Sequence, residues 1–281
     1  MLSYRHAFHA GNHADVLKHL ILVQVLDHLT PKEEPLCYID THAGGGRYFL
    51  DSASAQQNRE LEGGIGRLWR RADLPQPVAR YVRLVEELNP NGELQNYPGS
   101  PWLAQRLLRP GDRLVLFELH PSEIGPLTTL FTGDRRAQVL RADGLAGCVR
   151  LLPPKERRGL ILIDPAYEVK SDYKTAADTL IGAHRRFATG IVALWYPVID
   201  RRRTDALKRA VLAAGIPKAQ VYELGLGPKG SHQGMAASGM VVVNPPRTLT
   251  ASMQTALPWL AQELGSGAKG TFRIGALASD A

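Results

Sequence analysis

Cysteine is nearly absent: Cys37 and Cys148 are the two in 281 residues. One lies in an apolar, strand-like run and the other in a helical stretch, which excludes a disulfide framework and a cysteine metal cage. Both read as reduced core thiols. Long apolar runs are missing as well. No stretch of about 18 apolar residues occurs, and the opening MLSYRHAFHAGNHADVLKH is polar where a secretory signal would be apolar. A cytoplasmic protein without a membrane partner is expected.

Two nucleotide fingerprints are incomplete. In the glycine turn Gly44 and Gly46 fill the first two positions of the nicotinamide-cofactor pattern G-x-G-x-x-G, but the third falls on Phe49. The phosphate-binding pattern GxxxxGK[ST] does not occur, so a nicotinamide-dependent reductase and a nucleotide hydrolase are both disfavoured. Histidines at positions 6, 9, 13 and 19 come without cysteine or regularly spaced carboxylates. Hydrogen-bonding roles are therefore expected of them, and no metal.

What is present is the make-up of a globular α/β protein, 44% hydrophobic and 22% charged, with a net charge of +7. The charge arrives in arginine clusters (Arg70-Arg71, Arg135-Arg136, Arg157-Arg158, Arg185-Arg186, Arg201-Arg202-Arg203), a scatter that fits a basic face for phosphates and that solubility explains as well. The triplet reads as a solvated helix start.

Apolar residues recur at helical spacing from Asp15 to Leu29 and stop at Thr30-Pro31. LCYID at 36–40 then reads as a buried strand entering the turn 41–46. Further strands are expected at 114–118, 138–140, 160–164, 191–195, 221–224 and 240–243, with helices near 100–109, 121–131, 175–187 and 204–214. This alternation predicts a mostly parallel, doubly wound, seven-stranded sheet. The last two strands lack a helix between them, so a C-terminal antiparallel hairpin with a long mobile loop is expected. The tail after Gly265 is small and polar and is expected to fray.

The second strand's acidic residue ordinarily follows the glycine turn by roughly 20 residues, but Glu118 comes much later. Residues 51–96 account for the excess as a helical insertion, with Val78, Tyr81, Val82, Val85 and Leu88 forming an apolar stripe. The expected division is one Rossmann-like domain, 1–50 with 97–281, interrupted by that insertion.

The chemistry concentrates at Asp164-Pro165-Ala166-Tyr167, which ends the apolar strand LILI at the edge where open α/β sheets bind ligands. An adenine amino group is a poor nucleophile because its lone pair is delocalised into the ring. A carboxylate accepting one N–H, with a rigid carbonyl accepting the other, draws the nitrogen towards tetrahedral geometry. Pro165 fixes its own φ and so helps hold that carbonyl, and Tyr167 offers a ring for an extruded base. Four such residues alone are also an ordinary strand-to-loop turn. Glu118 after the second strand and Asp143-Gly144 after the third bring further polar groups to the same edge.

The stretches LSYRHAFHAGNHADVLKH, YIDTHAGGGRY, YPGSPWLAQ, LVLFELHP and LILIDPAYE resemble the RlmJ family, bacterial 23S ribosomal RNA adenine-N6 methyltransferases. The resemblance falls throughout residues 1–168 and implies a Rossmann-like class I S-adenosylmethionine-dependent fold with a small helical insertion, no metal, and methylation of one adenine. It further implies that His19, His42, Ser100, Glu118, Asp143, Gly144 and Asp164 contact the cofactor, with Asp164 also the catalytic acceptor aided by Pro165. Lys18, beside His19, is expected at the methionine carboxylate or the substrate. Tyr4 and Tyr167 are expected to contact the RNA, with Arg70 and Arg71 nearby. One departure stands out: Ala166 replaces the family's second proline, loosening a restraint on Pro165 while keeping carboxylate, carbonyl and ring. The expected partner is 23S ribosomal RNA, met by a monomer with no obligate protein partner. DNA adenine methylation uses the same four-residue motif, and RNA binding without methyl transfer is the rival outside the enzyme class.

Overall fold

A computed structural model describes residues 6, 9–50, 60–227, 235, 237–265 and 270–277. The chain forms strands β1 (Cys37–Asp40), β2 (Arg47–Phe49), β3 (Asn96–Pro98), β4 (Arg113–Phe117), β5 (Ala137–Leu140), β6 (Gly159–Ile163), β7 (Ile191–Val198), β8 (Ala219–Gly225), β9 (Ala237–Val243) and β10 (Thr271–Ala276). Its α-helices are α1 (His13–Leu29), α2 (Ile65–Leu68), α3 (Gln76–Glu87), α4 (Ser100–Leu107), α5 (Pro121–Leu130), α6 (Gly144–Arg150), α7 (Asp172–Arg186), α8 (Arg201–Ala213) and α9 (Arg247–Leu264). Among the described residues, no helix is long and apolar enough to cross a membrane.

Eight strands make one sheet in the order β10-β8-β9-β7-β6-β1-β4-β5. The run from β7 to β5 is parallel, whereas β9 lies antiparallel between β7 and β8. Side chains along a strand alternate between faces, and here both faces are apolar. Tyr38, Leu114, Leu116, Leu160 and Leu162 enter one core. Cys37, Ile39, Val115, Phe117, Ile161 and Ile163 enter the other. Burial on both sides is what covered parallel strands require. It explains why LCYID and LILID read as unbroken apolar runs.

The expected α/β architecture and antiparallel β8–β9 pair are present, and two readings need correction. The tail expected to fray after Gly265 carries a strand: residues 271–276 form β10, paired antiparallel with β8, so the sheet has eight strands instead of seven. Helix α9 is the second addition: Pro245-Pro246 precede it and Pro258 lies within it, which masks its helical pattern in the sequence. Its Leu249, Met253, Leu257, Leu260 and Leu264 nevertheless recur on one buried face. The connection between β8 and β9, expected as a mobile loop, lies mostly outside the described residues.

Within 51–96 the apolar stripe of α3 is buried as expected, at Val78, Tyr81, Val82 and Val85, and joins the core that holds α1. The short ladder β2–β3 closes the base of this excursion. Helix α1 is buried along most of its length, with Asn12 as its N-cap accepting from the Ala14 and Asp15 amides. Leu20 is fully buried there. Leu20→Ala should cost about 2–5 kcal/mol in urea unfolding, and a loss under about 1 kcal/mol would show that α1 is not part of the central core.

Candidate active site

The parallel strands end together, and their carboxyl-terminal edge opens on a cavity of about 920 Å³. Asp40 closes β1, Glu118 follows β4, Asp143 follows β5 and Asp164 follows β6. The cavity wall includes Lys18, His19, His42, Ser100, Glu118, Asp143, Gly144, Asp164, Pro165 and Tyr167. The structure thus brings all of these expected site residues to one place. Tyr4 lies outside the described residues.

Two glycines shape the wall. Gly44 takes φ 60° in the turn after β1, a left-handed conformation that suits glycine. At Gly144 a methyl would stand 1.9 Å from the Thr41 carbonyl oxygen, so this contact tolerates no side chain. Asp143 caps α6 by accepting from the Leu145 and Ala146 amides at 2.9 and 3.3 Å. Glu118 accepts from the Gly44 amide at 2.7 Å and the His120 amide at 2.6 Å. Burial pushes its carboxyl above the ordinary range.

The first turns of α1 bring charge to the opposite wall. Lys18 Nζ lies 2.6 Å from Asp164 Oδ2 and 2.9 Å from Asp15 Oδ1. Asp15 also accepts from the Gly11 amide at 2.9 Å and faces His6 Nε2 at 3.0 Å. Burial alone would raise the Asp15 carboxyl, but His6 and Lys18 hold it well below the ordinary range. Asp164 takes Lys18 on Oδ2, and Oδ1 has no hydrogen-bond partner among the described residues. Its amide donates to Thr41 Oγ1 at 3.3 Å.

Tyr167 is held on three sides. Its hydroxyl donates to the Trp195 carbonyl at 2.6 Å, and its ring meets Tyr173 and Trp195 at centroid distances of 4.6 and 5.7 Å. It adopts φ 54°, a conformation costly for a bulky side chain and found where packing over-determines it. Arg71, expected near the RNA, is bonded to Asp73 and Glu263 and lies over the Trp259 ring at 4.9 Å.

Residues that the sequence reading did not assign to the site support it from behind. Asp40 is fully buried and accepts from Tyr38 Oη and Ser100 Oγ, each at 2.7 Å, and from the His42 amide at 3.2 Å. Ser100 therefore reaches the cavity already tethered to β1. A carboxylate directly after an apolar strand was the legible signal for Asp40; the tether was not legible, because Ser100 lies on a distant helix. Burial pushes Asp40 up to about 6. A carboxyl raised on folding contributes stability that is present below its unfolded value, near 3.9, and lost as pH rises through about 6. The stability of wild type relative to Asp40→Asn should therefore fall between about pH 4 and pH 6. A difference that stays flat across that window, followed by urea unfolding, would show that Asp40 does not titrate there.

Residues 33–276 match the profile of the family described as Ribosomal RNA large subunit methyltransferase D, RlmJ. The chain is 46% identical over 275 residues to Ribosomal RNA large subunit methyltransferase J of Haemophilus influenzae, covering 98% of each protein. Against the Escherichia coli protein of the same name it is 48% identical over 264 residues, 94% of each. A crystal structure of a Legionella pneumophila protein matches with a TM-score of 0.89 and 37% identity, over 97% of this chain and 99% of that one. A profile match and near-full-length identity thus agree with a fold that gathers Lys18, Glu118, Asp143 and Asp164 at one edge, and the chain belongs to the RlmJ family of ribosomal RNA large subunit methyltransferases.

Proposed function

We propose that this chain transfers a methyl group from S-adenosylmethionine to N6 of a specific adenine in 23S ribosomal RNA. The observation that carries the reading is Asp164: directly after β6 in the cavity wall, it has Lys18 on one oxygen and no hydrogen-bond partner on the other among the described residues, beside Pro165 and a rigidly held Tyr167. The donor set fits the cofactor. Glu118 keeps lone pairs for two ribose hydroxyls, and Asp143 with the Gly144 amide suits an adenine edge. Lys18, His19, His42 and Ser100 line the part suited to the methionine end.

When bound, the cofactor supplies an electrophilic sulfonium methyl. Asp164 Oδ1 accepts one N–H of the target amine, the Pro165 carbonyl accepts the other, and Tyr167 stacks on the base. Together they aim the nitrogen lone pair and remove the orientational freedom that slows the reaction in solution. Lys18, paired with Asp164 Oδ2, would leave Oδ1 as an acceptor that orients the amine; as the N–CH3 bond forms the S–CH3 bond would break to leave S-adenosylhomocysteine, and the methylated nitrogen would then give its extra proton to water. Ala166 removes one restraint on Pro165, but the Tyr167 hydroxyl and ring contacts restrain the motif from its other end. The same reading gives a monomer acting in the cytoplasm without a metal or an obligate protein partner. It treats 51–96 as an insertion within one domain, and Tyr4 as an RNA contact.

Incubation with tritiated S-adenosylmethionine and unmodified ribosomal RNA or DNA, followed by nucleoside analysis, tests the assignment. Label in N6-methyladenosine from 23S RNA is expected. Label in DNA alone, or RNA binding without label, would replace the reading with one of its rivals. At saturating cofactor, Asp164→Ala should slow single turnovers by roughly 10-fold to 150-fold, the worth of a hydrogen bond to a charged group. Asp164→Asn, which still accepts an N–H, should lie between alanine and wild type. Asparagine and alanine variants equally inactive, with folding and cofactor binding intact, would favour obligatory charge over orientation.

A further inference from the structure

Behind His19 runs a buried polar chain that the mechanism above does not use. His19, on α1, stands in the cavity wall, and its Nδ1 lies 2.8 Å from the Tyr97 hydroxyl. That hydroxyl is 2.7 Å from the Tyr81 hydroxyl. Tyr81 and Tyr97 are fully buried, and His19 is nearly so. Burial pushes His19 down to about 3 and both phenols well up. All three groups are therefore neutral near pH 7, and each carries one titratable hydrogen.

Counting those hydrogens fixes their direction. Tyr81 Oη meets only Tyr97 among the hydrogen bonds of the described residues. Were the chain to run outward, with His19 Nδ1–H donating to Tyr97 and Tyr97 to Tyr81, the Tyr81 hydrogen would be buried without an acceptor. Folded interiors avoid such orphans. The opposite direction places every hydrogen: Tyr81 donates to Tyr97, and Tyr97 donates to His19 Nδ1. The imidazole's own hydrogen then resides on Nε2, the nitrogen left for the cavity.

We propose that Tyr97, held by Tyr81, is a positioning residue that fixes His19 as the Nε2–H tautomer, so that the cavity wall offers a donor selecting the carboxylate end of the cofactor. This rests on the S-adenosylmethionine reading above. Tyr81 belongs to α3 and Tyr97 to β3, so the excursion between β2 and β3 braces the cofactor site from behind. Lys18 presents the same donor polarity on the same helix.

The tautomer is measurable directly. Nitrogen-15 correlation spectra of the ligand-free wild-type protein between about pH 6 and 8 should show His19 protonated on Nε2 alone, and protonation on Nδ1 would overturn the proposal. Tyr97→Phe should raise the dissociation constant for S-adenosylmethionine by about tenfold or more, with far less change for decarboxylated S-adenosylmethionine, and raise the cofactor KM by more than it lowers kcat. Unchanged affinity, or equal loss for both ligands, would reduce Tyr97 to packing. Should Tyr97→Phe not fold, the wild-type spectra decide alone. If the wild type does not bind S-adenosylmethionine, the functional reading fails, and the spectra still decide the tautomer.

Discussion

Lys18 is a buried cation set between two carboxylates, and the edge of the sheet is organised around it. Asp15 holds it from within α1 and Asp164 from the end of β6, at 2.9 and 2.6 Å. Taking one such charge out of water costs several kcal/mol unless its partners satisfy it. The cluster therefore holds only while α1 and β6 keep their relative position. That coupling gives the first helix two tasks, since its apolar remainder fills the core above the sheet while its opening turns form a wall of the cavity.

The sheet supplies the complementary constraint. Parallel strands with apolar side chains on both faces leave no room inside for polar chemistry, so polar groups gather where the strands stop. Asp40, Glu118, Asp143 and Asp164 all lie at that edge, in contrasting surroundings. Asp40 is sealed beneath the surface and serves Ser100 and the glycine turn. Glu118 and Asp143 anchor backbone amides, while Asp164 is paired with a cation, alone of the four among the described residues.

Local signals made the chemical edge legible. An apolar run followed by an acidic residue is visible in sequence where a covered strand ends, and it marks Asp40, Glu118 and Asp164 alike, whereas Asp143 follows a partly exposed strand and Arg141 and was read from its place after the third strand. Contacts joining distant segments were not legible: Lys18 with Asp164, Ser100 with Asp40, and His19 with Tyr97 and Tyr81. Tyr81 read simply as part of an apolar stripe, because periodicity reports which face is buried and is silent on what a hydroxyl meets there. Helix α9 and strand β10 were missed for another reason. Proline precedes the one and lies within it, and the other is a short, largely exposed edge strand whose pairing with β8 lies in tertiary structure.

The ladder between β2 and β3 has a bearing on how this architecture tolerates change. Residues 47–49 pair with residues 96–98, so the segment between β2 and β3 begins and ends at adjacent, hydrogen-bonded points. A segment whose ends are fastened this way adds little closure entropy as it lengthens. The turns of this segment that face away from the cavity are thus where its length can change, whereas Glu60, Glu62, Gly63 and Arg67, which line the cavity, and Tyr81 and Tyr97 behind it are bound to the pocket. Change confined to those outward turns can accumulate without moving the groups that line the cavity.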